Sequence, residues 1–151
     1  MKRKIIFAVL GVIVAAALVG MYLYTKQTPD IVQDKPEVVV KATDLIAAFQ
    51  QDTASARQKY LDKILEVSGT IKKIDSASSV TLGTEGSPSD VVVSLDRRHS
   101  KDAEGLKIGA EVVMQGRCTA YKTSSNGDPT DLLSSLGTTV QLNFGGVKSN
   151  Q

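Results

Sequence analysis

Between Thr43 and Ile74 the hydrophobic repeat shortens from about 3.6 residues to about two, so the chain must pass from helix to strand within a few residues. Leu45, Ile46, Phe49, Thr53, Ala56 and Tyr60 share one face of a helix predicted over 43–60, with Gln50, Gln51, Asp52, Ser55, Arg57 and Lys59 mostly opposite. Thr43 is the expected N-cap, and Asp44 sits in the first turn, where the helix dipole favours negative charge. Phe49 and Tyr60 read as packing residues, because a surface helix buries such a stripe against its neighbours. After Asp62, Leu65, Val67, Gly69 and Ile71 alternate with Glu66, Ser68, Thr70 and Lys72, the repeat of a half-buried strand. Gly69 in mid-strand predicts the bend with which a small barrel turns a corner, and Ile74 breaks the alternation as a bulge would.

Four more strands follow from the same repeat: Val80–Leu82, Val91–Leu95, Glu111–Tyr121 and Thr139–Val147. Val112, Met114, Gly116, Cys118 and Ala120 are expected on one face of the fourth strand. Val140, Leu142, Phe144 and Gly146 are expected on one face of the fifth. Gly83–Asp90, Asp96–Lys107 and Ser124–Gly137 read as polar loops, the last with a helical turn at Thr130–Leu136. The fold class is therefore mainly β, a five-stranded Greek-key barrel of the oligomer-binding (OB) type preceded by an amphipathic helix. An open α+β meander uses the same strand count.

The N-terminus has a different character. Lys2, Arg3 and Lys4 precede Ile5–Tyr24, a run with no charged residue, long enough as a helix to cross the roughly 30 Å of a bilayer core. Tyr22, Tyr24 and Lys26 sit where interfacial residues belong. Ala15-Ala16-Ala17 offers a cleavage site, but the apolar run outlasts the h-region of a signal peptide. The expectation is an N-terminal transmembrane helix over 1–26, a linker over 27–40 containing Pro29 and Pro36, and an OB-fold domain over 41–148. The positive-inside rule then puts a single-pass protein in a bacterial cytoplasmic membrane with its C-terminal domain in the periplasm or at the cell surface.

Residues 1–28 hold four basic residues and no carboxylate, which leaves fourteen basic against sixteen acidic residues in the rest. The positive balance thus belongs to the N-terminal segment, whereas nucleic-acid binding rests on a clustered positive surface in the folded part. Cys118 and His99 are each the sole residue of their type. An intramolecular disulfide and a zinc site of several imidazoles or thiolates are both excluded, and no cofactor motif is present.

Three segments stand out together: Asp52, Ala56, Lys59-Tyr60, Lys63 and Val67-Ser68-Gly69; Gly109 with Glu111 to Cys118; and Thr139 to Asn143. In order and spacing they resemble the tRNA-anti-like OB-fold family of bacterial membrane-anchored proteins and lipoproteins. Where family members continue into a further cysteine, this chain has Phe144-Gly145-Gly146. The resemblance implies an OB barrel and, by analogy with anticodon-binding domains, nucleic-acid binding.

The functional expectation is a non-enzymatic, membrane-anchored module that binds a protein or an oligomeric ligand. Single-stranded nucleic acid or oligosaccharide is the alternative. Asp96, Arg97, Arg98 and His99 offer charge beside a base but no nucleophile or metal, and Asp128-Pro129 with Asp131 reads as a turn. If the barrel binds nucleic acid, the candidate residues are Lys72, Lys73, Arg97, Arg98, Arg117, Tyr121 and Lys122, since such sites combine cations with stacking rings. Loops 75–79 and 122–137 flank the expected binding face.

Overall fold

A computed structural model of the chain describes residues 14–21, 30–75, 78–123 and 137–148. Among the described residues from 38 onward, six strands and two α-helices follow one another as β1 (Val38–Lys41), α1 (Ala42–Gln51), α2 (Thr53–Tyr60), β2 (Ile64–Asp75), β3 (Ser79–Leu82), β4 (Asp90–Leu95), β5 (Glu111–Lys122) and β6 (Thr139–Val147). A 3₁₀ helix, Arg97–Gly105, joins β4 to β5. Residues 14–21 are helical and exposed. Among the described residues, no helix is long and apolar enough to cross a membrane; most of the apolar run 5–24 lies outside them.

The strands are hydrogen-bonded in the order β2-β3-β4-β6-β5, and β5 returns to β2 to close a five-stranded barrel. The β4–β6 pair is parallel and the other barrel pairs are antiparallel. One strand serves two neighbours: Ile64–Thr70 of β2 pair with Arg117–Glu111, and Ile71–Asp75 pair with Leu82–Ser79. β1 adds a short parallel strand outside the barrel, in register with Leu65–Ser68. The end of the expected linker, Val38–Val40, thus docks on the barrel as a strand.

Leu65, Val67, Ile71, Val80, Leu82, Val91, Val93, Met114, Cys118, Val140 and Leu142 fill the barrel, each no more than 1% exposed. Full burial of such a side chain contributes about 2 kcal/mol. Helix α1 lays Ala42, Leu45, Ile46 and Phe49 over the end where β4 and β6 begin. Phe49 packs against Tyr60 with ring centroids 6.1 Å apart. Gln50 Nε2 donates to Ser89 Oγ at 3.1 Å, and the same hydroxyl accepts from the Thr138 N–H at 2.9 Å, so one buried serine ties the helix to the starts of two strands.

Several expectations need correction. The helix expected over 43–60 breaks at Asp52, whose carboxylate accepts from Ser55 N at 3.0 Å and so caps a second helix. The Asp52-x-x-Ser55 pair competes with helix continuation. Lys41, not Thr43, precedes the first helix, with no side-chain cap. The register shift in β2 falls between Ile71 and Lys73, just before the bulge expected at Ile74 and not at Gly69. A Cβ on Gly69 would lie 2.9 Å from Ala42 Cβ, so its role is to let α1 approach the strand. The loop at 96–107 contains the 3₁₀ helix, which has no apolar period because only Ala103 is buried.

Two strands change face midway. In β5 the pairing with β6 shifts between Cys118 and Ala120, so Ala120 is exposed while Tyr121 turns toward α1. In β6, Phe144 has φ +56° and is 47% exposed, and Gly145 takes the buried position beside it. Ala120 and Phe144 were expected on the inner face with their strands' buried residues; each irregularity reverses the alternation and turns them out. The helical turn expected at Thr130–Leu136 lies outside the described residues.

Gly145 is held at close quarters: a Cβ there would collide with Val93 Cγ1 and lie 3.1 Å from the Gln115 carbonyl oxygen. Gly145→Ala should lower stability by about 1–3 kcal/mol through overpacking. The expected readout is a lower urea midpoint at unchanged slope; a midpoint equal to that of the parent chain would contradict the packing described.

Candidate nucleic-acid interface

The seven candidate residues do not form one surface. Lys72 and Lys73 lie on β2, and Arg117 pairs opposite Ile64 at the start of that strand. Eight residues separate Ile64 from Lys72, roughly 26 Å along the chain at about 3.3 Å per residue. Arg97 and Arg98 begin the 3₁₀ helix beyond β4, and Lys122 ends β5.

Several of these groups are engaged inside the fold. Lys72 Nζ donates to the Ser87 carbonyl at 2.5 Å and lies 3.9 Å from Asp90 Oδ2, tying down the loop 83–89. Lys73 lies 3.7 Å from Asp75, both well exposed. Arg98 makes a two-pronged contact with Asp96, Nε to Oδ1 at 3.0 Å and Nη2 to Oδ2 at 2.8 Å. Tyr121 stacks on Phe49, with centroids 4.8 Å apart and planes at 28°, so one face of its ring is already covered. Arg97, Arg117 and Lys122 are exposed and make no ion pair among the described residues.

The structure brings forward a residue that sequence periodicity placed in the core. Phe144 stands exposed on β6 in a left-handed backbone conformation, which costs a non-glycine residue about 1–2 kcal/mol. Its neighbours in the chain connect it to both flanking strands. Asn143 is the register partner of Arg117 on β5, and Gly145 pairs with Leu95 and accepts from the Asp96 N–H at 2.8 Å. The strand that carries Phe144 thus lies between the strand that carries Arg117 and the strand that leads into Arg97 and Arg98. The signal available in the sequence was Phe144-Gly145-Gly146, since two successive glycines inside a strand mark an irregularity.

A shallow groove of about 540 Å³ lies elsewhere, lined by Lys41, Ser68, Glu111, Val113 and Lys148 among others. Its lining mixes both signs of charge. Cys118 is fully buried in the barrel, where burial, with the charge of Asp62, pushes its thiol up to about 11; it is not a reactive group. Among the described residues no cluster of three or more His, Cys, Asp or Glu could hold a metal ion. Of the flanking loops, residues 76–77 and 124–136 lie outside those described.

Closure, strand order and the parallel β4–β6 pair define the barrel as an OB fold. The sequence profile of the tRNA_anti-like family matches residues 1–126, and the chain belongs to that family. No curated protein matches it. Among solved structures it is similar to one described as a "putative nucleic acid-binding lipoprotein" from Klebsiella pneumoniae subsp. pneumoniae MGH 78578. The two share 18% identity over 73% of this chain and 91% of that one, with a TM-score of 0.48. It is also similar to an Entamoeba histolytica asparaginyl-tRNA synthetase, at 12% identity and TM-score 0.38, over 78% of this chain and 25% of the synthetase. An aspartyl-tRNA synthetase from Leishmania major Friedlin shows 9% identity and TM-score 0.36, over 89% of this chain and 26% of that one.

The Asp96–Arg98 contact has a pH signature. The Arg98 hydrogen bond, with the Arg98 N–H, holds the Asp96 carboxyl down to about 2, against an ordinary value of 3.8. A carboxyl depressed in the folded state stabilises it above the ordinary value, and that contribution disappears as pH falls toward the folded value. Asp96→Asn should therefore flatten the loss of stability between about pH 4 and 2 relative to the parent chain. Superimposable acid-unfolding curves for the two would show that this contact contributes nothing.

Proposed function

We propose that this chain is a non-enzymatic binding module of the OB fold, anchored in the membrane by its N-terminal segment with the barrel outside the cytoplasm. The barrel interior is filled by side chains, so a ligand must bind on the outer surface or its loops. The anchor reading is supported by the uncharged run Ile5–Tyr24 behind Lys2, Arg3 and Lys4. The observation that carries the binding reading is Phe144: an exposed ring held in a costly backbone conformation, on a strand whose two neighbouring segments carry exposed arginines.

The same observation supports the second reading, in which the ligand is single-stranded nucleic acid or an oligosaccharide. Bases and sugar rings both pack on aromatic faces, and base stacking on one ring contributes about 1–3 kcal/mol. Against nucleic acid as the principal ligand stands the dispersal of the basic residues, with Lys72 and Arg98 already committed to internal partners. Counterion release needs several cations along one track.

Binding to single-stranded oligonucleotides, measured by fluorescence anisotropy at low and moderate salt, distinguishes the two readings. Under the nucleic-acid reading, affinity falls with salt, and Phe144→Ala weakens binding by about 1–3 kcal/mol. Absence of binding at low salt removes nucleic acid and leaves a protein or oligosaccharide partner. Separately, mass spectrometry of the chain recovered from membranes should return an N-terminus that includes residues 5–24. A mature chain that starts beyond residue 17 would overturn the anchor.

A further inference from the structure

We propose that residues 30–34 form a pH-sensitive strap, held across the outside of the barrel while the His99 imidazole is protonated and loosened when it is neutral. The segment falls in the region expected to be a linker, yet Ile31 and Val32 are only 3% and 5% exposed. Gln115 explains where it docks. It lies on the outward side of β5, alternating with Met114 and Gly116, but is fully buried because the strap covers it. Its Nε2 donates to the carbonyls of Ile31 at 2.6 Å and Asp34 at 2.7 Å, while its Oε1 accepts from Lys148 Nζ at 2.9 Å.

The near end of the strap is held by charge. His99 Nε2 lies 3.0 and 3.1 Å from the two Asp30 oxygens, and Nδ1 lies 3.0 Å from Asp102 Oδ2. A neutral imidazole has a single N–H, so it can donate to only one of these carboxylates and turns a lone pair toward the other. Only the imidazolium satisfies both. The Asp30 carboxylate also accepts from the Val32 N–H at 3.2 Å, linking the clamp to the buried part of the strap.

Charged groups surround this clamp on each side. The strap contributes Asp30, and the 3₁₀ helix contributes Asp102, Asp96 and Arg98, with Arg98 also acting on Asp30. From β6, the Val147 N–H donates to Asp102 at 3.4 Å, whereas Lys148 beyond it is drawn 2.6 Å from Glu66 on β2. Gly146 leaves the necessary room: a Cβ there would lie 2.8 Å from the His99 ring and 2.9 Å from Val32 Cγ2. Burial pushes His99 down, but the hydrogen bonds and charges of Asp30 and Asp102 outweigh it and raise the group above 6.5. A histidine raised in the folded state lends stability that is full below its unfolded value and lost as pH rises through its folded value. The strap is therefore tight in mildly acidic medium and loosens on the alkaline side. Under the anchored reading above, release would lengthen the membrane tether by five residues, roughly 17 Å at about 3.4 Å each.

The sole histidine makes the test direct. In the full chain in detergent micelles, histidine-selective ¹³C labelling gives one resonance for His99, and hydrogen exchange reads the Val32 and Gln33 amides. The expected result is a His99 midpoint above 6.5. Protection at Val32 and Gln33, corrected for intrinsic exchange, should fall roughly tenfold across that midpoint, the loss of one charge-assisted hydrogen bond. His99→Gln should show low protection with no pH dependence. Asp102→Asn should keep the Asp30 contact and lower the midpoint. Protection that stays constant through the His99 titration, or a midpoint at or below 6.5, would overturn the strap; both come from the parent chain even if a variant fails to fold. The anchor is judged by the N-terminal mass instead, so the two ideas fail separately.

Discussion

The pairing of β2 with β5 is the interaction on which the rest of the structure depends. A twisted five-stranded sheet would otherwise expose two rows of unpaired backbone N–H and C=O groups. Closure removes both rows, and β2 achieves it by changing partner along its length, with a register shift between Ile71 and Lys73. The strand is long because it must serve both neighbours. Once the ring is closed, inward residues have a common interior to fill, and α1 can cover the open end beside Tyr121 and Val140.

A closed and filled barrel has no room for a ligand inside, which moves function to its outer face and loops. There the local irregularities matter more than the regular strands. The shift in β5 after Cys118 turns Tyr121 inward, where it stacks on Phe49. The left-handed residue in β6 turns Phe144 outward and brings Gly145 against Val93. Two aromatic residues thus exchange the roles that simple alternation assigns them. The basic residues are scattered by the same architecture, because sequence neighbours such as Arg97 and Arg98 sit at one end of the barrel while Arg117 sits on the middle of β5.

Buried polar groups join the apolar Ile31 and Val32 in holding the segment before β1. Gln115 is buried on the outer side of β5 with its amide fully used, and a buried amide lacking those partners would cost about 1–3 kcal/mol. The strap and the barrel therefore satisfy each other. Proton linkage then couples that arrangement to pH through a single imidazole placed between two carboxylates.

The sequence by itself determined the mainly β barrel class, the positions of the five barrel strands and the amphipathic helical region, because these depend on local hydrophobic period and on turn residues. It also determined that Phe49 and Tyr60 belong to the core and that Cys118 has no partner for a disulfide. The helix break at Asp52 was legible in the Asp52–Ser55 spacing, although apolar periodicity concealed it. Tertiary structure alone decided which way Tyr121 and Phe144 face, since one irregular residue reverses every later side chain in a strand. It alone decided that Asp30, His99 and Asp102 meet, and that Gln115 holds a segment more than eighty residues earlier in the chain. Contacts of that separation leave no trace in local pattern: they exist only because residues 30–34 pack back across β5 and the 3₁₀ helix of the finished barrel.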